Sequence, residues 1–427
     1  MMQRSVPSLV APTFAAISLA LSSSPAAAQS LEQVLEIVLE RSPAMEAARA
    51  REDAADAAIR QAQAERMPMA TLQGQIGTGR IDPQGFFALP AANVTPRAAQ
   101  MGAEMPILTF GRIGSAVDQA KAGRELASAG ANAAMLDLRL QVIRAYTQAL
   151  AAQEQVVSYS AMATMLEEVV RQSKLMFKVG AATSTDVAQA EARLAEARAG
   201  LAHARGMLAT ARAQLATLAG QEITLDPTLP LLPIIPPDAE QARQMALADN
   251  PMVTQARKAA EIAEAGLRGA KAERLPTVGV YAEASTIRDQ FFPGYKADSA
   301  SVGVRGRWQF YSGGRVGAKI SKAEADARAA SADARLAAQA VEVQAVQTFE
   351  AVQAAKAMVI AADERARATE EALRSTRLEV EAGAKPQLAL LDAMREASAA
   401  ETAKIQAAGN LLTAAYSLRS VTGMDSL

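Results

Sequence analysis

The sequence carries one structural unit twice. From Val187 to Leu218, apolar residues recur at alternating steps of three and four, and the same series of steps returns 203 residues later, from Leu390 to Val421. Strict alternation of this kind is the period of a coiled-coil seam. A break containing a glycine precedes each seam, at Gly180 and at Gly383. The chain is therefore predicted to be a tandem repeat in which each copy contains a helical hairpin.

A second, longer helix is predicted before each break. Its apolar seam is clearest between 138 and 177 in the first copy and between 341 and 380 in the second. The hairpins are placed at about 111–219 and 314–422. A continuous helix over 111–178 is about 100 Å long and is longer than the second helix of its hairpin. The part of it that extends beyond that second helix is expected to pack against short helices upstream. Those helices begin at Ser42-Pro43 and Asn250-Pro251, pairs typical of an N-cap and a first helical residue.

Between the short helices and each hairpin, the hydrophobic period changes to two. Strands are predicted at about 69–79 and 99–109 in the first copy, and at about 277–287 and 300–310 in the second. Each has one apolar side and one polar side, which is the pattern of a membrane strand that faces water on its other side. The side chains predicted to face a water-filled lumen are Glu104, Arg305 and Arg307. Four strands cannot enclose such a lumen, whereas three chains would supply twelve.

Composition excludes several classes of function. The chain has no Cys and one His, which rules out thiol chemistry and a cluster of histidines within one chain. No nucleophile–base pair is found, and neither a metal site nor a cofactor is predicted, so we expect no enzyme. Lys and Arg total 44 against 45 Asp and Glu, which gives no electrostatic basis for binding nucleic acid.

The segments before and after the first copy differ from it in composition. Residues 1–28 are predicted to be a cleavable signal peptide, since Arg4 is followed by an apolar stretch that ends in Ala26-Ala27-Ala28; a membrane anchor is the alternative. Repeat 1 is placed at 29–220, a proline-rich extended linker at 221–237, and repeat 2 at 238–427. Apolar linker residues expected to be buried are Ile223, Leu225, Leu229, Leu231 and Ile234.

No later stretch reaches the roughly 18 apolar residues of a membrane-spanning helix. Any membrane crossing is therefore expected to use β-strands. The loops between paired strands carry Phe86-Phe87 and Phe291-Phe292. These aromatic residues are expected either at a membrane interface or in an ordinary loop cluster.

This ordered set of features, present twice, resembles the TolC family of outer-membrane efflux proteins. The residues that carry the resemblance are the Ser/Asn-Pro helix starts, the stops at Met67-Pro68 and Leu275-Pro276, the strand pairs, the turn over 106–112 and the Val-Gly…Thr…Asp-Val break. The resemblance implies a mainly α-helical protein with membrane β-strands. It further implies a homotrimer with a twelve-stranded β-barrel in the outer membrane and an α-helical tunnel through the periplasm. The tunnel tip would dock a periplasmic adaptor, the membrane fusion protein, bound to an inner-membrane pump of the RND, ABC or MFS class.

The resemblance also implies site residues near the two hairpin breaks. Carboxylates ring the pore in this family, six and nine positions after the glycine; here Asp186 and Asp392 are present, while Gln189 and Ala389 are not acidic. The predicted gate residues are Asp392, Asp186 and Lys385, with Lys385 paired to a carboxylate of a neighbouring chain. For Asp186 the alternative is a capping carboxylate at a helix start, and for Asp392 a solvated helix face. The predicted adaptor-docking tips are Gly180, Thr183 and Gly383.

Three functions are compatible with these patterns. The first is the passive outer-membrane exit duct of a tripartite efflux system, and the second is the outer-membrane component of type I protein secretion. The third is a periplasmic coiled-coil adaptor, although adaptors lack two membrane-type strand pairs and a full tandem duplication. A purely structural coiled coil would not require the alternation of Val304 with Arg305.

Overall fold

The computed structural model describes residues 28–82, 90–228 and 230–424. It confirms a mainly helical chain with a small strand portion and two copies of a long helical hairpin. The helices are α1 Leu31–Arg41, α2 Pro43–Ala64, α3 Arg112–Lys178, α4 Ser184–Ala219, α5 Ala239–Asp249, α6 Pro251–Ala272, α7 Arg315–Glu381 and α8 Gln387–Thr422. Among the helices in these ranges, none contains a stretch long and apolar enough to cross a membrane.

The two hairpins repeat each other residue by residue. Helices α3 and α7 begin at Arg112 and Arg315, which are 203 positions apart. The ends of α3 and α7, and both ends of α4 and α8, differ by the same number. Both α3 and α7 contain 67 residues, which corresponds to about 100 Å of helix. Gly111 and Gly314, with φ of 90° and 85°, turn the chain from strand into helix because glycine tolerates left-handed backbone angles.

The predicted seams hold the hairpins together. In α4 the buried seam residues include Ala190, Leu194, Ala197 and Leu215, and the matching buried positions of α8 include Ala400 and Leu418. Alternating alanine with leucine lets the helix axes approach closely while the leucine side chains fill the space between them.

The short helices pack along the parts of α3 and α7 that extend beyond their hairpin partners, as the unequal lengths predict. Ala62 of α2 is buried against Ile113 and Val117 of α3. Helix α6 packs on the matching segment of α7 and also on α3, where Lys258 lies 2.5 Å from Glu125. Helix α6 thus joins the two repeats.

Tyr146 lies at the centre of the largest apolar cluster and is fully buried. Its hydroxyl donates a hydrogen bond to the carbonyl oxygen of Gln29 at 3.1 Å and lies 3.4 Å from that of Asp226. Burial, with the nearby Asp226 carboxylate, raises the pKa of Tyr146 to about 12. The start of repeat 1 and the linker are therefore both fixed to α3.

The linker is only partly buried, which corrects the expectation for two of its apolar residues. Leu225 is 5% exposed, whereas Leu231 and Ile234 are 92% and 78% exposed in the single chain. Prolines keep this segment extended, so successive side chains point in different directions and Ile235 packs against the helices instead. Ile223 is half-buried, and Leu229 lies outside the described residues.

The strands are β1 Met69–Ile76, β2 Gly79–Ile81, β3 Ala92–Val94, β4 Arg97–Leu108, β5 Thr277–Arg288 and β6 Lys296–Arg307. Four of them form one antiparallel sheet in the order β1-β4-β5-β6, and β2 and β3 form a short ribbon that the sequence pattern does not predict. Strand β6 begins and ends earlier than the predicted 300–310, because it pairs residue by residue with β5 across a short loop and the chain then turns towards Gly313.

Candidate functional site

One face of the four-stranded sheet is apolar from edge to edge. Leu72 lies opposite Met101, and Met101 lies opposite Ala284. Residues directly opposite one another in antiparallel strands share a face, so the register aligns the apolar sides of all four strands. The aligned residues are Ala70, Leu72, Gly74, Ile76, Ala99, Met101, Ala103, Met105, Val278, Val280, Ala282, Ala284, Ala300, Val302, Val304 and Gly306.

This apolar face is uncovered in the single chain. Leu72, Val302 and Val304 are 79%, 82% and 68% exposed. An apolar surface of this extent is a site of interaction with lipid or with another molecule, because water disfavours contiguous apolar area.

Aromatic side chains lie beyond both ends of the apolar face. At the helix end, Trp308 contacts Phe310 with ring centroids 6.3 Å apart, and both are exposed. At the far end, Phe291 and Phe292 both pack edge-on against Tyr295 in the β5–β6 loop. The predicted aromatic pair Phe86-Phe87 lies outside the described residues.

The opposite face of the sheet carries charged groups in contact with one another. The Arg305 guanidinium lies 3.4 Å from a carboxylate oxygen of Glu283 and 3.8 Å from one of Glu104. It also stacks over the ring of Tyr281, 4.2 Å from its centroid. The sequence predicts Glu104 and Arg305 as lumen residues but does not distinguish Glu283 and Tyr281, although its period of two places both on the same side.

Arg307 lies at the helix end of this polar face, opposite Thr277. It lines a 620 Å³ cavity together with Arg305, Glu104, Glu65 and Arg112. Arg112 and Glu65 form an ion pair of 3.5 Å within that cavity. The structure therefore brings the three predicted lumen residues to one end of one face.

At the hairpin breaks the backbone requires glycine. Gly180 and Gly383 have φ of 76° and 75°, which is the left-handed region that residues with a Cβ resist. Apart from the two chain neighbours, no group in the described part of the chain lies within 4 Å of the position that a Cβ would take at either residue. Each break is therefore constrained by its backbone angle and has open space around it.

Thr183 and Asp186 form a capping box at the start of α4. The Thr183 side chain accepts from the backbone N–H of Asp186, and the Asp186 carboxylate accepts from the Thr183 N–H at 2.8 Å. The two hydrogen bonds that the carboxylate accepts, from the Thr183 backbone N–H and from the Thr183 hydroxyl, lower the pKa of Asp186. Asp186 thus has the capping role that the sequence allowed as an alternative.

Asp392 forms a contact between the two repeats. Its Oδ1 atom lies 3.2 Å from Nη2 of Arg193 on α4, and Arg193 also pairs with Glu196 at 2.9 Å. Leu391 and Met394 beside it are buried in an apolar cluster with residues of α3 and α4. Arg193 was missed because pairing across 199 residues leaves no local pattern in the sequence.

Lys385 has a partner within its own chain. Its ammonium group lies 2.6 Å from a carboxylate oxygen of Glu379, in the last turn of α7. Pairing with a neighbouring chain, and the facing of Asp186, Asp392 and Lys385 towards a pore, stay predictions. In the parts of the chain that the structure describes, no cluster of three His, Asp or Glu residues is arranged to hold a metal ion.

Two known proteins are similar to this chain in sequence, one named for efflux and one named for protease secretion. The outer membrane efflux protein BepC of Brucella suis biovar 1 is 26% identical over 261 residues, which cover 60% of this chain and 57% of BepC. The alkaline protease secretion protein AprF of Pseudomonas aeruginosa is 26% identical over 190 residues, 42% of this chain and 39% of AprF. The aligned parts thus span little more than half of one relative and less than half of the other.

Solved outer-membrane channels have the same fold. The Campylobacter jejuni channel CmeC superposes with a TM-score of 0.82 at 13% identity, covering 93% of this chain and 86% of CmeC. The open state of the Neisseria gonorrhoeae channel MtrE gives 0.76 at 22% identity, covering 92% and 88%. A family model described as outer membrane efflux protein matches residues 34–221 and 242–424, one segment for each repeat. From these two matched segments and the shared fold, we conclude that the chain belongs to the outer membrane efflux protein family.

Proposed function

We propose that the protein is the outer-membrane exit duct of a tripartite efflux system. The observation that carries the proposal is the division of one four-stranded sheet into a face that is apolar across all four strands and a charged opposite face. Lipid on one side and water on the other would satisfy both faces. A soluble adaptor would leave the apolar face in contact with water, which is unfavourable.

The two edges of the sheet support assembly as a homotrimer. Strands β1 and β6 are its two edges, and each presents unpaired backbone N–H and C=O groups that hydrocarbon cannot satisfy. Pairing β6 of one chain with β1 of the next, three times around an axis, closes twelve strands into one continuous sheet. Such a head-to-tail contact closes into a ring when the rotation between chains fits.

The helical hairpins would form the wall of a tunnel through the periplasm. Helices α3 and α7 run about 100 Å from the sheet to the breaks at Gly180 and Gly383. The breaks would then be the farthest points from the membrane, where a periplasmic adaptor and an inner-membrane pump of the RND, ABC or MFS class would deliver substrates. Transport through the duct itself would be passive.

Type I protein secretion is the second candidate. The similarity to a protein named for the secretion of alkaline protease supports it. The similarity to a protein named for efflux covers more of the chain and supports the first candidate.

The test is assembly and conductance of the purified protein. In detergent we expect a trimer by native mass spectrometry, and after reconstitution into planar bilayers we expect ion conductance. A protein that stays monomeric and gives no conductance would overturn the proposal. Accumulation of small dyes, compared with export of a protease substrate, in a strain lacking its own channel would separate the two cargo classes.

A further inference from the structure

Three cationic residues lie side by side across the end of the sheet that is remote from the helices. Arg97 of β4 is directly opposite Arg288 of β5, which is directly opposite Lys296 of β6. Each is four residues along its strand from a member of the apolar face, so all three belong to that face. We call Arg97, Arg288 and Lys296 the cationic row.

The cationic row lies at a height that corresponds to the edge of a membrane. From the row of Val278 at the helix end to the row of Arg288 the strand spans ten residues, or about 34 Å at 3.4 Å per residue. With a strand tilt of about 40°, this length corresponds to roughly 26 Å along the membrane normal, close to the height of about 25 Å that lipid-facing bands have. Apolar residues fill the positions up to Ala284 and Ala300, the next row holds Thr286 and Asp298, and the cationic row follows it.

The charge of the row is only partly neutralised. Arg288 forms an ion pair with Asp298, at 2.8 Å and 3.1 Å. Arg97 and Lys296 are exposed, and neither forms an ion pair within residues 28–82, 90–228 and 230–424. The row together with Asp298 therefore carries a net charge of about two positive units at the end of an apolar face.

The adjoining loop holds the row in place. Asp289, with φ of 54°, accepts a hydrogen bond from the backbone N–H of Gly294 at 2.6 Å, and its own N–H donates to Tyr295 at 2.8 Å. The loop also carries the Phe291–Tyr295 aromatic contact. Aromatic residues at the headgroup level position a protein in depth, so the cations would meet the lipid headgroups.

We propose that the cationic row binds the phosphate groups of anionic lipids in the leaflet at this end of the sheet. The inference rests on the proposed function, because it requires the apolar face to lie in the membrane. Guanidinium and ammonium groups bind phosphate oxygens through short, charge-assisted hydrogen bonds. In a trimer the row would occur three times around the outer surface.

The experiment measures the binding of one lipid with and without its phosphate. Purified protein in non-ionic detergent is titrated with phosphatidic acid and with diacylglycerol of the same acyl chains, and bound lipid is counted by native mass spectrometry. We expect a preference for phosphatidic acid. Loss of each unpaired cation should weaken that preference about fivefold, so R97Q/K296Q should weaken it roughly 25-fold.

Two control variants separate position from overall charge. R49Q/R51Q on α2 removes the same charge from exposed helix positions and should keep the preference. R97K/K296R keeps the charge of the row and should keep the preference too. If R97Q/K296Q fails to assemble, R97Q alone should show the fivefold loss.

The outcomes distinguish this inference from the proposed function. A protein that forms a conducting trimer but binds both lipids equally would overturn the lipid site and leave the duct intact. Equal losses in R97Q/K296Q and R49Q/R51Q, or displacement of the lipid by an equal concentration of inorganic phosphate, would also overturn it. A protein that neither assembles nor conducts would overturn both.

Discussion

Arg193 of α4 and Asp392 of α8 form an ion pair, with Nη2 and Oδ1 3.2 Å apart, which joins the first helical hairpin to the second near their tips. The partners lie on different repeats and are half-exposed, with side-chain exposures of 30% and 45%. A pair of this kind stabilises by at most about 1 kcal/mol. Its position between two long hairpins gives it a role in holding them together.

The two partners are expected to have opposite effects on ion selectivity. Asp392→Asn removes a carboxylate and should weaken cation preference in single-channel recordings, whereas Arg193→Ala leaves that carboxylate unpaired and should strengthen it. Both changes break the link between hairpins and should raise the open fraction by up to about fivefold per site. Arg198→Ala is the control, since Arg198 pairs with Glu167 inside one hairpin at 2.7 Å. Unchanged selectivity in both variants would place Asp392 outside the pore.

The two faces of the sheet predict different costs for one substitution at neighbouring positions. Val302 lies near the middle of the apolar face. Val302→Arg should therefore destabilise the folded protein in lipid vesicles, lowering the free energy of unfolding by about 2–4 kcal/mol. Ser301 is on the polar face, where its hydroxyl lies 3.2 Å from Glu283, and Ser301→Arg should cost little because the new charge meets a carboxylate. Denaturant titration in vesicles measures both. Equal costs would contradict the assignment of the faces.

The glycines at the breaks predict a backbone effect and a docking effect. Gly180→Ala and Gly383→Ala should each destabilise the protein by about 1–2 kcal/mol, because φ is positive at both residues. The space around each residue is open, so the backbone angle alone causes this cost. Gly123→Ala, within α3 and equally free of neighbours, should instead stabilise by up to about 1 kcal/mol. Thermal unfolding measures this contrast, and equal shifts at all three sites would contradict it.

Trp at both break positions tests the docking role of the tips. The trimer should still assemble and insert, since the breaks lie far from the strands, but substrate export should be lost. Intact export with Trp at both positions would remove the breaks from the docking surface.

The capping carboxylate predicts a dependence on pH. Hydrogen bonds from Thr183 lower the pKa of Asp186 below its ordinary value of 3.8. A depressed pKa contributes stability that is present above the ordinary pKa and is lost as the pH falls through the lower folded-state pKa. Asp186→Asn should therefore be less stable than the wild type at neutral pH, and the difference should disappear in stronger acid. A difference in unfolding midpoint that persists there would show that the carboxylate charge is not responsible.

The sequence by itself determined the long helices and the two faces of the four paired strands. The alternating steps of three and four located α4 and α8, and the glycines at 180 and 383 located their starts, because a helix seam and a left-handed turn are both local properties. The period of two separated Val304 from Arg305 for the same reason. Each of these patterns depends on neighbours within a few residues.

Only the tertiary structure decided which distant groups meet. The contact of Arg193 with Asp392, the grouping of Glu283 and Tyr281 around Arg305, and the exposure of Leu231 depend on how hairpins, strands and linker pack. The cationic row likewise required the strand register, because Arg97 and Lys296 are far apart in sequence and share a row only through Arg288. Turn geometry and the hydrophobic pattern set the register of β5 with β6 inside one hairpin. The pairing of β4 with β5 joins the two repeats, so only the packing of the whole chain decides which of their residues meet.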